Sequence, residues 1–393
     1  MLMKGILILF IKQHPLSSIM NKLILLILLA AFQITTAQER GFFSRNDMNE
    51  QEPRLSFGTE KKRSASISLG DINNDQKLDA VIANGRHWPE NNYIFYNYGK
   101  GFNTVATLGT KGSTSYTAEL VDLDNDNDLD IVEINDNAPH KIYLNNGKGD
   151  FEFYSEVAHI SNARNISIGD LDNNGFTDFI ITNRGQKNTI CYNQGELQFT
   201  CTTLETEQNS TIDIAINDLN NDGLVDLVLA NRDNIANEIF INMGNRKFKK
   251  QLDFGTGSFE TRSVSVADIN NDGYPDLITG NINSSNTIYF GDKNFSYKNT
   301  TSYGANKIDT YAVAVADFNK DGFVDIATAN YLAPNIVYMN VDGKTFEKIK
   351  LTDMAARTYD ITVGDINSDG WLDIAIANSD EFNLYYFNIF KDE

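Results

Sequence analysis

The 393-residue sequence has little of what marks several common protein classes. It has only two cysteines and four histidines, and no G-x-S-x-G motif that would place a serine nucleophile at a strand–helix turn. Helical periodicity is absent throughout. Acidic residues outnumber basic ones by 53 to 33, which argues against nucleic acid as a partner because nucleic-acid binding needs a basic surface.

Long hydrophobic runs are also scarce, and the main one lies near the start of the chain. Lys22 precedes the apolar run Leu23–Phe32, and small residues follow it, which is the pattern of a cleavable signal peptide. The run is too short to span a membrane, and no later run is long enough. We therefore expect residues 1–37 to be a signal peptide, with Met20 as an alternative start, and the mature protein to be secreted or periplasmic. No cysteine follows the expected cleavage site, so a lipid anchor is not indicated.

The sequence instead repeats one nine-residue stretch seven times, at intervals of 48 to 51 residues. Its pattern is D-x-[DN]-x-[DN]-G-x-x-D, and Asp317–Asp325, with Gly322 at position 6, is a complete example. Calcium takes six to eight oxygen ligands at about 2.3–2.6 Å, and a curled loop aims alternate side chains at one point. Glycine permits the sharp turn. We number the stretches loops 1 to 7 and expect them to bind up to seven structural calcium ions.

The expected metal ligands occupy positions 1, 3, 5 and 9 of each loop. They are Asp71, Asn73, Asp75 and Asp79 in loop 1; Asp122, Asp124, Asp126 and Asp130 in loop 2; Asp170, Asp172, Asn174 and Asp178 in loop 3; Asp218, Asn220, Asp222 and Asp226 in loop 4; Asp268, Asn270, Asp272 and Asp276 in loop 5; Asp317, Asn319, Asp321 and Asp325 in loop 6; and Asp365, Asn367, Asp369 and Asp373 in loop 7.

Three loops depart from this pattern. Gln76 and Asn127 replace the glycine in loops 1 and 2, and Asn174 replaces the aspartate at position 5 of loop 3. We expect weaker calcium binding in loops 1 and 2, and weak or no binding in loop 3. Removing the signal peptide changes the formal net charge from −20 to −23. Positions 1, 3, 5 and 9 of the seven loops together carry 22 carboxylates. Much of the acidity therefore belongs to the expected metal sites rather than to a general partner surface.

A period near 50 residues is typical of a propeller or a repeat array. Each repeat begins with a strand that alternates apolar and small residues before the loop, such as Val313 and Val315, and continues with a buried strand such as Ile326–Ala329. A third, aromatic-rich strand and a fourth strand follow, which together make one four-stranded propeller blade. An asparagine ends the second strand of every repeat, and this recurrence indicates a structural role. These residues are Asn84, Asn135, Asn183, Asn231, Asn281, Asn330 and Asn378.

The seventh repeat ends after its third strand, and the N-terminal segment contains a matching piece. Leu55–Thr59 resembles Leu252–Thr256, the end of a fourth strand in repeat 4. We therefore predict an all-β fold, a single seven-bladed β-propeller over residues 38–393 with four-stranded blades. In this prediction the N-terminal strand completes the last blade and closes the ring, which removes exposed sheet edges.

These repeats resemble the FG-GAP and VCBS repeat family, and their loops are similar to the calcium loops of integrin alpha-subunit propellers. Asp268–Asp276 and Asp365–Asp373 carry the resemblance most clearly. It covers nearly all of the expected mature chain and implies a calcium-binding β-propeller. It implies little about activity, because function lies in sites added to a fold. Nothing in the sequence resembles the integrin partner-binding module, so the resemblance does not imply a receptor role.

The two cysteines, Cys191 and Cys201, lie on neighbouring predicted strands joined by a turn. In an exported protein they could form a disulfide across the hairpin, or remain a buried free pair. The sequence leaves both alternatives open.

The strand order places the loops that join second and third strands, and the junctions between repeats, on the face opposite the metal loops. The mature chain's three histidines, His87, His140 and His159, all lie in such segments, and Trp88 lies beside the first of them. Arginines and tyrosines at the junctions would surround the mouth of a central channel and favour an anionic ligand, although ion pairs and packing between repeats would explain them equally. These residues are Arg63, Tyr116, Arg164, Arg262, Tyr311, Arg357 and Tyr359.

Two functions follow from these residues. The first is binding of an anionic, uronate- or sulfate-bearing saccharide, or of a cell-surface protein, with Arg63, His87, Trp88, Arg262, Tyr311, Arg357 and Tyr359 as ligand-binding residues. The second is a lyase or dehydratase that eliminates across a uronate, with His140, His159, Tyr116 and Arg164 as catalytic candidates from neighbouring repeats. A hydrolase with paired carboxylates is disfavoured, because the aspartates belong mainly to the metal loops.

Overall fold

Twenty-eight β-strands, and no helix, make up the part of the chain that the computed structural model describes, namely residues 43–44, 55–99, 101–206, 210–255, 260–304 and 307–389. The expected signal peptide, residues 1–37, lies outside the described residues. No described segment is a helix long and apolar enough to cross a membrane. The prediction of an all-β chain is confirmed, whereas the single domain over 38–393 stays a prediction.

The strands follow the sequence repeats in order. Repeat 1 contains β2 (Lys62–Gly70), β3 (Asp79–Asn84), β4 (Glu90–Tyr96) and β5 (Thr104–Ser113). Repeat 2 contains β6 (Ser115–Val121), β7 (Asp130–Asn135), β8 (His140–Asn145) and β9 (Phe151–Val157). Repeat 3 contains β10 (Ala163–Gly169), β11 (Asp178–Asn183), β12 (Thr189–Asn193) and β13 (Phe199–Thr203). Repeat 4 contains β14 (Thr211–Asn217), β15 (Asp226–Asn231), β16 (Asn237–Asn242) and β17 (Phe248–Phe254).

The remaining repeats have the same plan. Repeat 5 contains β18 (Glu260–Ala267), β19 (Asp276–Ile282), β20 (Asn286–Phe290) and β21 (Asn299–Tyr303). Repeat 6 contains β22 (Asp309–Ala316), β23 (Asp325–Tyr331), β24 (Ile336–Asn340) and β25 (Phe346–Lys350). Repeat 7 contains β26 (Thr358–Gly364), β27 (Asp373–Glu381) and β28 (Leu384–Asn388). The short β1 (Phe43–Ser44) precedes them all.

Repeats 2 to 6 each form a separate four-stranded antiparallel sheet with the strands in chain order, as expected of propeller blades. The strands of repeats 1 and 7 join in one eight-stranded sheet, because β2 pairs with the end of β27. The first strand of each repeat also contacts the first strand of the next, from β2 and β6 through to β22 and β26, and β26 contacts β2. The first strands therefore lie beside one another at the inner edges of their sheets.

Burial differs between strands of one repeat in the way that their sequences predict. Every residue of β7, β11 and β15 is buried, whereas most residues of the fourth strand β9 are exposed. The hydrophobic core is a series of layers between neighbouring sheets, and one such layer contains Val132 and Ile134 of repeat 2 with Phe179 and Ile181 of repeat 3. Each sheet thus buries both faces against its neighbours, which is how four short strands gain stability that one sheet lacks.

The N-terminal segment pairs with the last strand. Residues of β1 pair with the end of β28, and Ser56 bridges Leu384. Phe57 donates its backbone N–H to the carbonyl of Asn383, and its ring packs between residues of repeats 1 and 7, including Phe95 and Tyr385. The segment that the sequence assigns to the last sheet therefore lies along its edge.

Cys191 and Cys201 form a disulfide between β12 and β13, with their Cα atoms 4.0 Å apart. They are directly opposed in the register of the two strands, so the pair joins the third and fourth strands of repeat 3. The structure thereby favours the paired alternative over the free one.

Candidate functional site

The loops between first and second strands share one backbone conformation. Position 6 has a positive φ in all seven, from +66° at Gln76 and +72° at Asn127 to +90° at Gly322. The N–H at this position donates to the position-1 aspartate in every loop, at 2.7 Å for Gln76 and 3.0 Å for Asn127. Loops 1 and 2 therefore adopt the glycine conformation without glycine, at a backbone cost of roughly 1–2 kcal/mol each.

The aspartate at position 9 is the most deeply buried member of each loop. Asp325, for example, is fully buried and accepts two backbone N–H bonds, from Phe318 at 2.9 Å and from Asn340 at 2.7 Å. The same two bonds recur in the other six loops. Burial raises the pKa of these carboxyls to about 6 or 7. A nearby cation would stabilise the ionised form of each carboxyl and so lower its pKa.

Several oxygens in the loops fit a bound cation. Carboxylate oxygens of three aspartates in loop 2, and of three in loop 3, lie within 4.8 Å of one another. Among the described residues, Oδ1 of Asn73, Oδ1 of Asp122 and Oδ1 of Asp172 are buried and have no hydrogen-bond partner. Buried acceptors of this kind are normally satisfied, and all three belong to positions that ligate calcium in such loops. The donor set, oxygen only, suits a hard cation such as calcium.

On the opposite side, the first strands of all seven repeats line one cavity of about 220 Å³. The residues near the start of each first strand form the rim of this cavity. They include Tyr116, Arg164, Arg262, Tyr311 and Tyr359. The structure thus brings five of the predicted junction residues to one place.

On one side of the cavity, the lining residues Tyr116 and Arg164 belong to a hydrogen-bonded chain that continues outward to His87 and Asp136 and joins repeats 1 to 3. The Tyr116 hydroxyl lies 3.0 Å from Nε2 of His87, and Nδ1 of His87 lies 2.7 Å from Oδ2 of Asp136. Arg164 donates to the other oxygen of Asp136 at 2.8 Å and packs its guanidinium 4.6 Å from the Tyr116 ring centre. Because a carboxylate accepts only, the proton of neutral His87 belongs on Nδ1, and Nε2 accepts from Tyr116.

The electrostatics of this chain follow from burial and ion pairing. Burial raises the pKa of Tyr116, although the charges of Arg164 and Arg262 oppose the rise. The pKa of Asp136 is lowered, because its hydrogen bonds to Arg164 and His87 outweigh its burial. Asp136 therefore stays a carboxylate that orients His87, and Tyr116 keeps its proton at neutral pH.

The other wall is aromatic. Tyr311 stacks on Tyr331 with ring centres 5.0 Å apart and meets Tyr359 edge-on at 4.9 Å. The Arg262 guanidinium lies 4.8 Å from the Tyr311 ring centre, and it forms no ion pair with any described carboxylate. Arg86 lies 4.0 Å from the Tyr359 ring centre, and its buried Nε has no partner among the described residues. The rim therefore presents cationic nitrogens with unused donors beside flat aromatic faces.

Deeper in the cavity, the wall carries Glu119, Asp213 and Asp360. Burial, together with the neighbouring carboxylates, raises the pKa of Glu119 and of Asp360 to about 7. Asp213 accepts the N–H of Val264, and Asp360 accepts the N–H of Ile67, each on the first strand of the next repeat. Asp213 and Asp360 thus join neighbouring first strands, which gives these two acids a structural role.

His140 lies apart from this rim. Its Nδ1 accepts the N–H of Asn135 at 3.1 Å, and its Nε2 lies 3.2 Å from the Ser161 hydroxyl. In repeat 1 the amide of Asn92 makes the same two contacts, and an asparagine does so in the other five repeats as well. Burial lowers the pKa of His140 to about 4. The geometry favours a structural role for His140, in contrast to the catalytic role that the sequence suggests.

The remaining predicted residues lie outside the cavity lining. His159 is exposed, and Trp88 is 63% exposed beside Arg63, whose guanidinium lies 5.9 Å from its ring centre. Arg63 and Arg357 both form long ion pairs with Asp380, at 3.7 and 3.4 Å. Two rim residues were missed as candidates, Asp136 and Arg86, although each directly follows a second strand or its glycine, a position from which side chains reach this face.

Comparisons with known proteins agree with this architecture. The model of the FG-GAP-like repeat matches the chain at residues 71–133, 122–181, 218–279, 268–328 and 317–376. No curated protein matches the sequence significantly. Two crystal structures of BBS1N in complex with ARL6DN, one soaked with mercury and one with lead, resemble the chain with TM-scores of 0.58 and 0.57. They are 9% and 10% identical to it, and the matches cover 89% and 87% of this chain and 97% and 96% of theirs. At this identity the likeness shows the fold alone.

Proposed function

This chain belongs to the family of FG-GAP-like repeat proteins, and from that premise we propose that it is a secreted, calcium-stabilised, seven-bladed propeller that binds an anionic saccharide at the mouth of its central cavity. The proposal has three parts, which rest on different contacts: the closed ring, the calcium loops and the ligand site.

Contacts between repeats 7 and 1 support the closed ring. Asn97 of repeat 1 donates to the carbonyl of Ile366 in loop 7 at 2.9 Å, and Asn145 of repeat 2 makes the equivalent bond to loop 1. On the opposite face, Asp360 of repeat 7 accepts from Ile67 of repeat 1. The same types of contact therefore join the last repeat to the first as join consecutive repeats.

The oxygens of positions 1, 3, 5 and 9, with a backbone carbonyl, would hold calcium in each loop. Calcium supplies positive charge that neutralises carboxylates packed within one turn. The chain's own part is to hold these carboxylates in place, which the backbone N–H bonds to positions 1 and 9 do. In the family pattern this metal is structural, and it lies on the face opposite the proposed ligand site.

The unpaired Arg262 guanidinium carries the proposal of an anionic ligand. A guanidinium binds a carboxylate or sulfate through two parallel N–H bonds, and Arg262 has no carboxylate competing for them within ion-pair distance among the described residues. The Tyr311 and Tyr359 rings beside it offer faces on which a sugar ring can pack. Trp88, at the outer edge of the same face, would contact a longer saccharide.

Isothermal titration of calcium-saturated protein with uronate, sulfated and neutral oligosaccharides tests this site. The charged saccharides are expected to bind, and Arg262→Gln is expected to weaken them about 10- to 100-fold, because a buried charge pair is lost. Arg357→Gln is the matched control, since Arg357 is exposed and already paired with Asp380, and it should change affinity less than about threefold. Equal saccharide affinity in wild type and Arg262→Gln would contradict the proposed ligand site.

The Tyr116–His87–Asp136 chain favours elimination on a uronate as a second candidate. Arg262 would bind the carboxylate, Nε2 of His87 would take the C5 proton, and Tyr116, which keeps its proton, would donate to the departing C4 oxygen. The two groups lie 3.0 Å apart, so acid and base would act on the same side of the sugar ring. Such a reaction would be a syn elimination in which Tyr116 and His87 act on the sugar and Arg164 holds Asp136 in place, whereas His140 and His159 would take no part.

The absorbance of an unsaturated uronate at the new chain end distinguishes the two candidates. A rise in ultraviolet absorbance that is lost in Tyr116→Phe and His87→Gln, while both variants still bind saccharide, would establish the lyase. Binding without any absorbance change across the uronate panel would leave a non-catalytic binding protein. N-terminal sequencing of protein exported from its native host tests secretion, with a start near Gln38 expected.

A further inference from the structure

Loop 3 differs from the other six loops in one contact. Arg246, in the turn between β16 and β17 of repeat 4, reaches back to the position-3 residue of loop 3, Asp172. Its Nε donates to Oδ2 of Asp172 at 2.7 Å, and one terminal nitrogen lies 2.6 Å from the same oxygen. The guanidinium also lies 4.6 Å from the ring centre of the buried Tyr192, which fixes its position. No other loop carboxylate at positions 1, 3, 5 or 9 has an arginine partner among the described residues.

The position of Arg246 in its turn explains why it reaches the loop. In repeats 2 and 4, the residue four places after the third-strand asparagine lies against the loop of the preceding repeat. In repeat 2 that residue is Gly149, and a Cβ built on it would lie 3.5 Å from Cβ of Asn73, the position-3 residue of loop 1. Glycine there adds no charge to loop 1, whose Asp75 pairs with Lys77 of the same loop at 3.3 Å, whereas Arg246 brings a positive charge to loop 3 from a neighbouring repeat.

The two carboxylate oxygens of Asp172 differ in their partners. Its side chain is only 7% exposed, and Oδ2 is engaged by Arg246 while Oδ1 has no partner among the described residues. Oxygens of Asp170, Asp172 and Asp178 lie within 4.8 Å of one another. Oδ1 of Asp172 is therefore left available as a ligand for a cation bound by this group of carboxylates.

The charges of the loops show what this arginine changes. Loops 4 to 7 each carry three aspartates at positions 1, 3, 5 and 9, and loop 2 carries four. Loop 3 has three, because Asn174 occupies position 5, and the guanidinium neutralises one of them. A positive charge within about 5 Å of a divalent ion lowers its affinity, by about tenfold or more at a protein surface.

We propose that Arg246 is a built-in cation for loop 3, which holds this loop in the metal-free protein and keeps its calcium affinity below that of the other loops. The inference rests on the proposed calcium binding of the loop family and adds a residue from a neighbouring repeat that sets the affinity of one site. Repeat 3 is then the part of the ring whose loop depends least on calcium, and it is also the repeat that carries the Cys191–Cys201 disulfide.

Arg246→Gln tests this directly, because glutamine retains a hydrogen-bond donor and removes the charge. Lys247→Gln is the matched control, since it removes the same charge one residue away and is not within ion-pair distance of any described carboxylate. Equilibrium dialysis with calcium would count bound ions in full-length mature protein, and thermal unfolding would be followed with and without chelator.

The expected result has two parts. At a calcium activity that half-fills loop 3 in wild type, Arg246→Gln binds about 0.4 more ion per chain, because a rise in affinity of about tenfold at one site takes its occupancy from one half to about nine tenths. In chelator, Arg246→Gln unfolds a few degrees below Lys247→Gln, because Asp172 has lost its partner, and calcium removes this difference. Asp172→Asn in the Arg246→Gln background abolishes this gain in bound calcium.

Other outcomes overturn the inference. Equal calcium counts and affinities in Arg246→Gln and wild type would show that the guanidinium does not set the affinity of loop 3. Less bound calcium in Arg246→Gln than in wild type would show that Arg246 instead orients Asp172 for calcium. If none of the variants binds calcium, the calcium proposal itself fails, and that result is distinct because wild type and Lys247→Gln share it.

Discussion

The loops on one face of this protein make the same hydrogen bonds in all seven repeats, whereas the residues at the mouth of the cavity on the other face differ from repeat to repeat. Position 9 of each loop is a buried aspartate with two backbone N–H donors. The rim instead combines an unpaired arginine, an aromatic wall and a Tyr–His–Asp chain, each made by different repeats.

This difference separates two requirements on one fold. A contact that recurs seven times stabilises every repeat in the same way, here by holding the carboxylates of one loop in place. A contact that occurs once satisfies a need of the whole molecule, and binding a ligand is such a need. Substitutions on the loop face should therefore change stability, and substitutions at the rim should change binding.

Removing calcium should have the largest effect. At free calcium a thousand times above Kd, each ion stabilises the folded state by about 4 kcal/mol, so chelation of several ions should lower Tm by about 10 °C or more. Differential scanning calorimetry with and without chelator measures it. Magnesium should restore less of the loss than calcium, because it accepts this geometry poorly. A Tm that does not respond to chelator would contradict the structural role of calcium.

The pH dependence of the metal-free protein sharpens this prediction. Burial raises the pKa of Asp276 and Asp325 to about 7 and of Asp178 and Asp226 to about 6, from 3.8. The folded state then binds these protons more tightly than the unfolded state does, so stability is greatest below about pH 4 for these groups and is lost as pH rises towards 7. Each contributes at most about 3–4 kcal/mol.

Urea unfolding in chelator between pH 5 and pH 8 checks this sign. The free energy of unfolding should fall with rising pH, while calcium-saturated protein should lose this slope because the ion replaces the protons. A metal-free protein that becomes more stable as pH rises through this window would show that the buried carboxyls are ionised without metal.

Asp226→Ala should cost about 3 kcal/mol in calcium, because it leaves the N–H groups of Leu219 and Asn242 without their acceptor and removes a metal ligand. Tyr116→Phe at the rim should cost less than about 1 kcal/mol, since it removes one hydroxyl that borders a cavity. Urea unfolding of both variants tests the contrast between the faces. Equal losses would mean that the rim is as structural as the loops.

His140→Asn should be close to neutral, within about 1 kcal/mol, because asparagine makes the equivalent contacts in six other repeats. His140→Ala should cost about 2 kcal/mol, since it leaves the N–H of Asn135 unpaired in a buried place. Neither change should alter saccharide affinity. Loss of binding in a stable His140→Asn variant would return this histidine to the ligand site.

Gln76→Gly should stabilise the protein by about 0.5–1 kcal/mol, because glycine adopts its φ of +66° without strain. Gly223→Ala in loop 4 is the opposite change at the equivalent position, where φ is +87° and an added Cβ meets no atom within 4 Å. It should destabilise by about 1 kcal/mol through the backbone alone. Equal stability of both variants and wild type would show that loop 1 does not share the strained conformation.

Much of the fold could be predicted from the sequence, because it rests on periodicity. The spacing of the loops, the alternation in the first strands and the resemblance of Leu55–Thr59 to Leu252–Thr256 gave the strands and the pairing of the N-terminal segment with β28. These features need only residues close in sequence, or a pattern repeated along it.

The contacts at the rim were harder to predict from the sequence, because they join residues about one repeat apart. His87 meets Asp136 across 49 residues, and which of the three histidines takes this place depends on register that periodicity does not reveal. His140 occupies the position of an asparagine in the other repeats, and an aligned comparison of the seven third strands would have shown this. Arg246 meets Asp172 across 74 residues, and the packing of repeat 4 on repeat 3 brings them together.

Hydrogen–deuterium exchange of calcium-saturated protein, with and without a short oligogalacturonate, tests the division between the two faces most directly. The account predicts added protection in peptides that carry His87, Tyr116, Asp136, Arg164 and Arg262, and none in the seven metal loops. Protection confined to the metal loops or to the outer fourth strands would contradict it.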